Sequence, residues 1–214
     1  MDLTEGMVKE YNTAAQNQGL SHSEMHAVQA NLLDPLDPSP AHISGPEYFN
    51  FDIAMVCSSF HHFDDPALAA KRIGERLKKG GVLVVLDFLP HSNEKELWEK
   101  MAEQDTTGDG KKAMNTVVHF GFSKEEIKGI FENGGCSGDF GFLDMGTVVV
   151  FKFQKDEGGA SAEEGGHGHA HHGHGGHGHG DHGHGHGGHG HSHGPVDENG
   201  DMKRNLFMAR GTKI

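Results

Sequence analysis

Two cysteines in 214 residues, Cys57 and Cys136, cannot make a disulfide framework. Their scarcity excludes the stapled scaffold of a small secreted domain and fits a reducing, cytoplasmic setting. Long apolar runs are missing too: no stretch approaches the ~18 residues needed to cross a bilayer. The opening MDLTEGMVKEY has neither a basic nor an apolar region, so it does not read as a secretory signal. Basic residues are few, 18 against 31 acidic, and no basic patch argues for nucleic acid. Between Asp156 and Asp201 they vanish altogether, while eight acidic residues remain. That segment holds −8 of the formal net charge of −13 and leaves −5 for the other 168 residues. The acidity belongs to one segment and says little about what the rest binds.

The same segment contains the most biased composition in the chain. Its 27 residues from His167 to His193 comprise 13 His, 11 Gly and one each of Ala, Asp and Ser. The histidines are His167, His169, His171, His172, His174, His177, His179, His182, His184, His186, His189, His191 and His193. Neutral imidazoles on a glycine-rich chain suit Zn²⁺, Ni²⁺ or Cu²⁺, bound at many sites with no fixed tetrahedral set. Protonation near about pH 6 would also turn the segment from negative to positive. A tolerated slippage repeat at a loop tip accounts for the same composition without any metal.

Ordered structure is concentrated elsewhere. Phe51–Cys57 is an almost unbroken apolar run, as expected of a parallel strand covered on both faces. Asp65-Pro66 supplies a helix N-cap and a first-turn proline, followed by Leu68, Ala69, Ile73, Arg76 and Leu77 at helical spacing. Gly80-Gly81 is expected to end that helix in a left-handed residue, and Val82–Leu86 is a second buried strand. Phe51 to Leu89 is therefore a βαβ unit with a right-handed crossover. Before it, Thr4 caps a helix to Gln18 that carries Met7, Val8, Tyr11, Ala14 and Ala15 on one face and stops at Gly19. His26–Ala30 is a short strand candidate, and the four prolines between Asp34 and Pro46 make a loop. After it, Asn93–Glu103 with Leu97, Trp98 and Met101 is a helix candidate, and Thr106–Gly110 a polar loop. Ser123-Lys-Glu-Glu126 matches a capping box for a helix to about Asn133, closed by Gly134-Gly135. Val148–Phe153 and Asn205–Ala209 read as antiparallel neighbours despite some 50 intervening residues. A hairpin loop normally has about 2–5 residues, so 156–201 is expected to be a disordered insertion at a hairpin tip. The domain then comprises residues 1–155 and 202–214.

In this order the motifs resemble class I S-adenosylmethionine-dependent methyltransferases of the small-molecule type. Asp2-Leu-Thr-Glu-Gly-Met-Val-Lys-Glu-Tyr-Asn12 is similar to the acidic residue and helix that follow the family's second strand. Val28–Leu32 resembles the end of the third strand, Asp52–His62 the fourth strand and its following segment, and Leu77–Asp87 the Lys-Gly-Gly approach and fifth strand. Leu206–Lys213 resembles the closing strand. The resemblance implies a Rossmann-like α/β fold, a mostly parallel sheet with an antiparallel C-terminal hairpin and the family strand order 3-2-1-4-5-7-6. One element has no counterpart: a first strand with a G-x-G-x-G turn, expected some 15–20 residues before Asp2. The expectation is a domain truncated at its N-terminus, with unpaired strand edges and an activity that this gap puts in question.

The resemblance also implies roles. Asp2 would accept hydrogen bonds from the cofactor ribose, Asn31 and Leu32 would flank the adenine, and Cys57 and Ser58 would lie at a ligand-binding strand end. The bland readings are a terminal Asp, a loop-capping Asn and a buried Cys acting as a small hydrophobe; for the Cys57 side chain burial is expected. His62, slightly ahead of His61, would be a general base, and Asp87 would line the pocket. The alternatives are an architectural histidine and a polar strand end. Asn115–Phe122, with His119, is a candidate substrate lid. The implied function is methyl transfer from S-adenosylmethionine to a small-molecule acceptor, without nucleic acid or membrane. A non-enzymatic metal-binding or interaction protein, acting through the His-rich segment, is the rival. An NAD-linked enzyme is disfavoured because no dinucleotide glycine fingerprint occurs.

Overall fold

A computed structural model describes residues 1–37, 39–91, 116–152 and 201–214. The expected helix at 93–103, the loop at 106–110 and the histidine tract lie outside the described residues. The elements are α1 (Glu5–Asn17), β1 (Phe51–Cys57), α2 (Pro66–Arg76), β2 (Leu77–Phe88), α3 (Lys124–Asn133), β3 (Gly138–Lys152) and β4 (Asp201–Thr212). The strands form one sheet in the order β1-β2-β4-β3. β1 and β2 are parallel and joined through α2, whereas β4 runs antiparallel to both of its neighbours. Among the described residues this is the mixed sheet expected from the sequence.

Local chemistry explains the helices. Thr4 accepts from the Met7 amide to start α1, and Asp65 accepts from the Leu68 amide ahead of Pro66 in α2. At α3 the capping box is complete: Glu126 takes the Ser123 amide and hydroxyl, and Ser123 takes the Glu126 amide. Those Ser123 donors hold the Glu126 carboxyl below the usual glutamate value. α2 and α3 pack on each other and on one face of the sheet, where Leu77, Leu83, Val85, Ile127, Phe131 and Phe207 are each at most 2% exposed. Burying one such side chain stabilises the fold by about 1.5–3 kcal/mol, so this face is where stability concentrates.

The hairpin of β3 and β4 forms despite its long gap. Val148 pairs with Arg204, and the register continues to Lys152 opposite Asp201. Local pairing of two β-favouring segments thus outweighs the slowly growing entropy of closing a long loop.

Three expectations need correction. α2 ends at Arg76, with Leu77 already extended as its C-cap, so Gly80-Gly81 does not stop the helix. Gly80 instead takes φ +79 within β2 and donates its amide to Lys213 O. The short strand at His26–Ala30 is reduced to one parallel bridge between Asp2 and Gln29. β1 is not covered on both faces. It is the terminal strand of the order, with Ile53 59% and Met55 57% exposed. Ile53, Met55 and Cys57 pair in parallel register with Val82, Val84 and Leu86, and so share the sheet face opposite α2 and α3. The apolar stripe of α1 is also largely open, with Met7 59% and Tyr11 45% exposed and Ala15 buried. No helix among the described residues is long and apolar enough to cross a membrane.

Gly211 is where β4 passes beneath the Cys136 carbonyl and the Phe131 ring, leaving no room for a Cβ. Gly211→Ala must shift backbone or a buried aromatic ring. It is expected to lower unfolding free energy by about 2–3 kcal/mol, measured by urea denaturation; a loss below about 0.5 kcal/mol would mean that the sheet and α3 are not in this contact.

Candidate functional site

The strand ends after β1 and β2 converge on one buried carboxylate. Asp87 is the penultimate residue of β2 and lies on the same face as Leu83 and Val85, fully buried. A carboxylate there needs donors for both oxygens, and the chain after β1 supplies them. Ser58 adopts φ +47 and donates its amide to Leu86 O, turning the chain across the end of β2. A single 3-10 turn, Phe60–His62, follows. It aims the amides of Phe60 and His61 at Asp87 Oδ2, at 2.9 and 3.2 Å. Asp87 Oδ1 accepts from the Phe88 amide and from His61 Nδ1, both at 2.8 Å. Four donors hold one carboxylate.

These contacts set the imidazole tautomers. Backbone amides can only donate, so the Asp87 oxygens act as acceptors and His61 Nδ1 carries its proton. In the neutral ring the lone pair is then on Nε2. His61 is 6% exposed and packed between the rings of His62 and Phe88, with centroids at 4.1 and 5.1 Å. His62 is half-buried, and its Nδ1 donates to Thr116 O at 2.8 Å, which likewise leaves Nε2 as the acceptor. His119 Nε2 donates to Phe63 O at 3.1 Å. Positive φ in a non-glycine residue is strained by roughly 1–3 kcal/mol, and at Ser58 that strain serves the turn that delivers His61.

The sequence put His62 slightly ahead of His61 at this strand end. A His-His pair offers two rings, and only the fold shows which one meets Asp87. Asp87, expected to line the pocket, is sealed from solvent and acts on His61. Cys57 is exposed rather than buried, because its sheet face is open. Cys136 is the buried cysteine, and burial pushes its thiol pKa up. Among the described residues no group of three or more His, Cys, Asp or Glu is placed to hold a metal ion.

A separate open cleft of about 500 Å³ lies between Val28 and His42. Gln29, Asn31, Asp34 and His42 are among the residues that line it; Leu32, Cys57, Ser58 and His62 are not. Asp2, whose backbone bridges to Gln29, does not line it. Asp2 Oδ1 accepts from the Thr4 amide and hydroxyl at 2.8 and 2.9 Å. Asn31 Oδ1 accepts from the Leu33 amide at 3.0 Å. Asn31 thus lines the cleft, Asp2 sits beside it only through its backbone bridge to Gln29, and Cys57, Ser58, His61 and His62 lie at the strand ends.

Replacing Asp87 by Ala orphans three amides and an imidazole in the interior. Unfolding free energy should fall by about 3 kcal/mol or more, read from denaturant curves; a change under about 1 kcal/mol would remove Asp87 from its place as hub.

Residues 1–85 match a family model described as a methyltransferase domain. No curated protein matches the sequence. Among solved structures, YcgJ from Bacillus subtilis is similar at 14% identity and TM-score 0.54, with 99% of this chain and 80% of that chain covered. A Bacillus halodurans protein described as a candidate methyltransferase is similar at 15% identity and TM-score 0.54, with the same coverage. At such identities the likeness is one of fold.

Proposed function

We propose that the chain is a class I S-adenosylmethionine-dependent methyltransferase that methylates a small-molecule acceptor at the strand ends around His61, a reading supported by the methyltransferase-domain match over residues 1–85 and by the shared fold. The observation that carries this reading is the buried Asp87–His61 pair, 2.8 Å between Oδ1 and Nδ1, at the carboxyl ends of two parallel strands. Ligands of open α/β sheets bind at such ends.

The cleft beside Asp2 suits the adenosine part of the methyl donor. Its volume is within the range of about 300–1,000 Å³ usual for small-molecule pockets. One Asp2 oxygen is engaged by Thr4, and the other is suited to accept from the ribose hydroxyls. Asn31, with Leu32 next to it, would flank the adenine. Cys57 and Ser58 would border the donor where it approaches the acceptor. When bound, S-adenosylmethionine supplies an electrophilic methyl group on a sulfonium.

The protein's own contribution is alignment and proton transfer. Holding the two reactants in line supplies most of what such a displacement needs. Asp87 keeps His61 in one tautomer and orientation, so that Nε2 is the atom available to take a proton from an acceptor hydroxyl or amine. A positioned base of this kind contributes roughly 10²–10⁴-fold. His62, its ring 4.1 Å from that of His61 and tied to Thr116 O, is the second candidate for the same task.

Titration of the full chain with S-adenosylhomocysteine by calorimetry is expected to show binding at tens of micromolar protein, weakened about tenfold by Asp2→Asn. In a labelled-methyl assay over a panel of hydroxyl and amine acceptors, His61→Ala should lower kcat by roughly 10²-fold or more and His62→Ala by less. Absence of heat with the wild-type chain would sink the cofactor assignment. A larger loss for His62→Ala would exchange the two histidines' roles.

A second reading is favoured by composition alone: the Gly/His tract binds Zn²⁺, Ni²⁺ or Cu²⁺ independently of the domain. Deleting residues 165–194 should abolish retention on an immobilised Ni²⁺ column and leave S-adenosylhomocysteine binding within about twofold. Retention by the deleted chain would move the metal sites elsewhere.

A further inference from the structure

One hydrogen bond at Nδ1 fixes a point on the His61 ring and leaves its plane to the contacts around it. Among those contacts are the rings of His62 and Phe88, with centroids at 4.1 and 5.1 Å. Each of them is held in turn. His62 Nδ1 donates to Thr116 O at 2.8 Å, at the start of a segment whose Val118 and His119 amides donate to His61 O at 3.0 and 2.9 Å. The far end of that segment is tied to the sheet. The Phe122 amide donates to Phe88 O at 2.9 Å, and the Phe120 carbonyl accepts from a guanidinium nitrogen of Arg204 at 3.0 Å.

Arg204 enters from β4. Leu206 pairs with Phe88, and Arg204, two residues earlier in the same strand, falls on the same face of the sheet. Its guanidinium lies over the Phe88 ring, 4.7 Å from the centroid, and the residue is 2% exposed. Arg204 therefore reaches His61 by two routes. One runs through the Phe88 ring to the imidazole. The other runs through Phe120 O and the backbone of 116–119 to the His61 carbonyl and to His62. A planar guanidinium suits both tasks at once, because it can lie on a ring face and donate in its own plane.

We propose that Arg204 is a positioning residue of the candidate site: from the closing strand it sets the plane of the His61 ring against Asp87. This rests on the reading of Asp87–His61 as the catalytic end, since the direction of Nε2 bears on methyl transfer only there. Arg204 acts through Phe88 and Phe120 O rather than on the reactants. Its loss is therefore felt in kcat and not in binding.

The His61 ring can be read directly in the full chain by proton NMR of the Nδ1–H that is bonded to Asp87, assigned by its disappearance in His61→Gln. In Arg204→Met, which keeps an apolar stem and removes the donor and the charge, that signal should be lost to exchange with water. Phe131→Leu serves as the control: it loosens the buried core under α3, on the other face of the sheet, and should leave the signal in place. Should Arg204→Met fail to fold, Arg204→Lys, which keeps a charge and a donor without the plane, should fold and show the signal displaced or broadened. A signal unchanged in a folded Arg204 variant, equal loss in Phe131→Leu, or no signal in the wild-type chain would each overturn the proposal. In the labelled-methyl assay, Arg204→Met or, if it does not fold, Arg204→Lys should lower kcat by roughly 10–10²-fold with KM within about twofold; a change confined to KM would make Arg204 a binding residue instead. The NMR signal needs no substrate. A chain that loses it with Arg204 but binds no S-adenosylhomocysteine and transfers no methyl group would sink the methyltransferase reading and leave Arg204 as the residue that orients His61.

Discussion

A carboxylate sealed from water must be met by donors, and that requirement on Asp87 orders the site around it. Two donors come from the turn after β1, one from the next residue of β2 and one from the His61 ring. Three of the four belong to the Phe60–His61 turn, which they fix to the end of β2. The turn in turn requires the left-handed Ser58, and His61, once held, offers its carbonyl to residues 118 and 119. Removing the charge would loosen three segments that are distant in sequence. The same interior that makes an unpaired carboxylate so unfavourable makes this satisfied one a rigid anchor.

Stability and chemistry occupy different parts of the sheet. The face under α2 and α3 holds the closely packed aromatic and aliphatic core, with Phe131 and Phe207 wholly buried. The candidate site lies at the strand ends, where backbone polar groups are freed from the ladder and can be turned toward side chains. Arg204 belongs to both. It is buried in β4, stacks on Phe88 and holds the Phe120 carbonyl, so the closing strand reaches into the geometry of the candidate site.

Legibility followed the range of the interaction. Caps were readable because they are decided within four residues: Thr4, Asp65 and Ser123 each start a helix where local hydrogen bonding requires it. The pairing of β3 with β4 was readable because two β-favouring runs near the end of the chain had no better partner. Long-range decisions were not. Gly80 could end a helix or lie within the next strand, and the tie of its amide to Lys213 O, 133 residues away, places it in β2. The apolar run of β1 reported a strand correctly, but hydrophobicity does not say how many neighbours that strand has among the described residues. Cys57 followed the same error, since its exposure depends on the face it shares with Ile53 and Met55.

The histidine pair shows where a motif stops being informative. His61 and His62 are chemically identical in sequence, and both stand at a strand end where a base is useful. What separates them is one acceptor each: a buried carboxylate for His61 and a backbone carbonyl for His62. Both bonds fix the same tautomer, so tautomer does not distinguish them either. The distinction is electrostatic. An imidazole that gains a proton beside Asp87 is met by a negative charge in a site shielded from water, while one beside Thr116 O is met only by a dipole. Stabilisation of a developing charge is stronger where the partner is ionised and desolvated. On that ground His61 is the base in the proposed reaction.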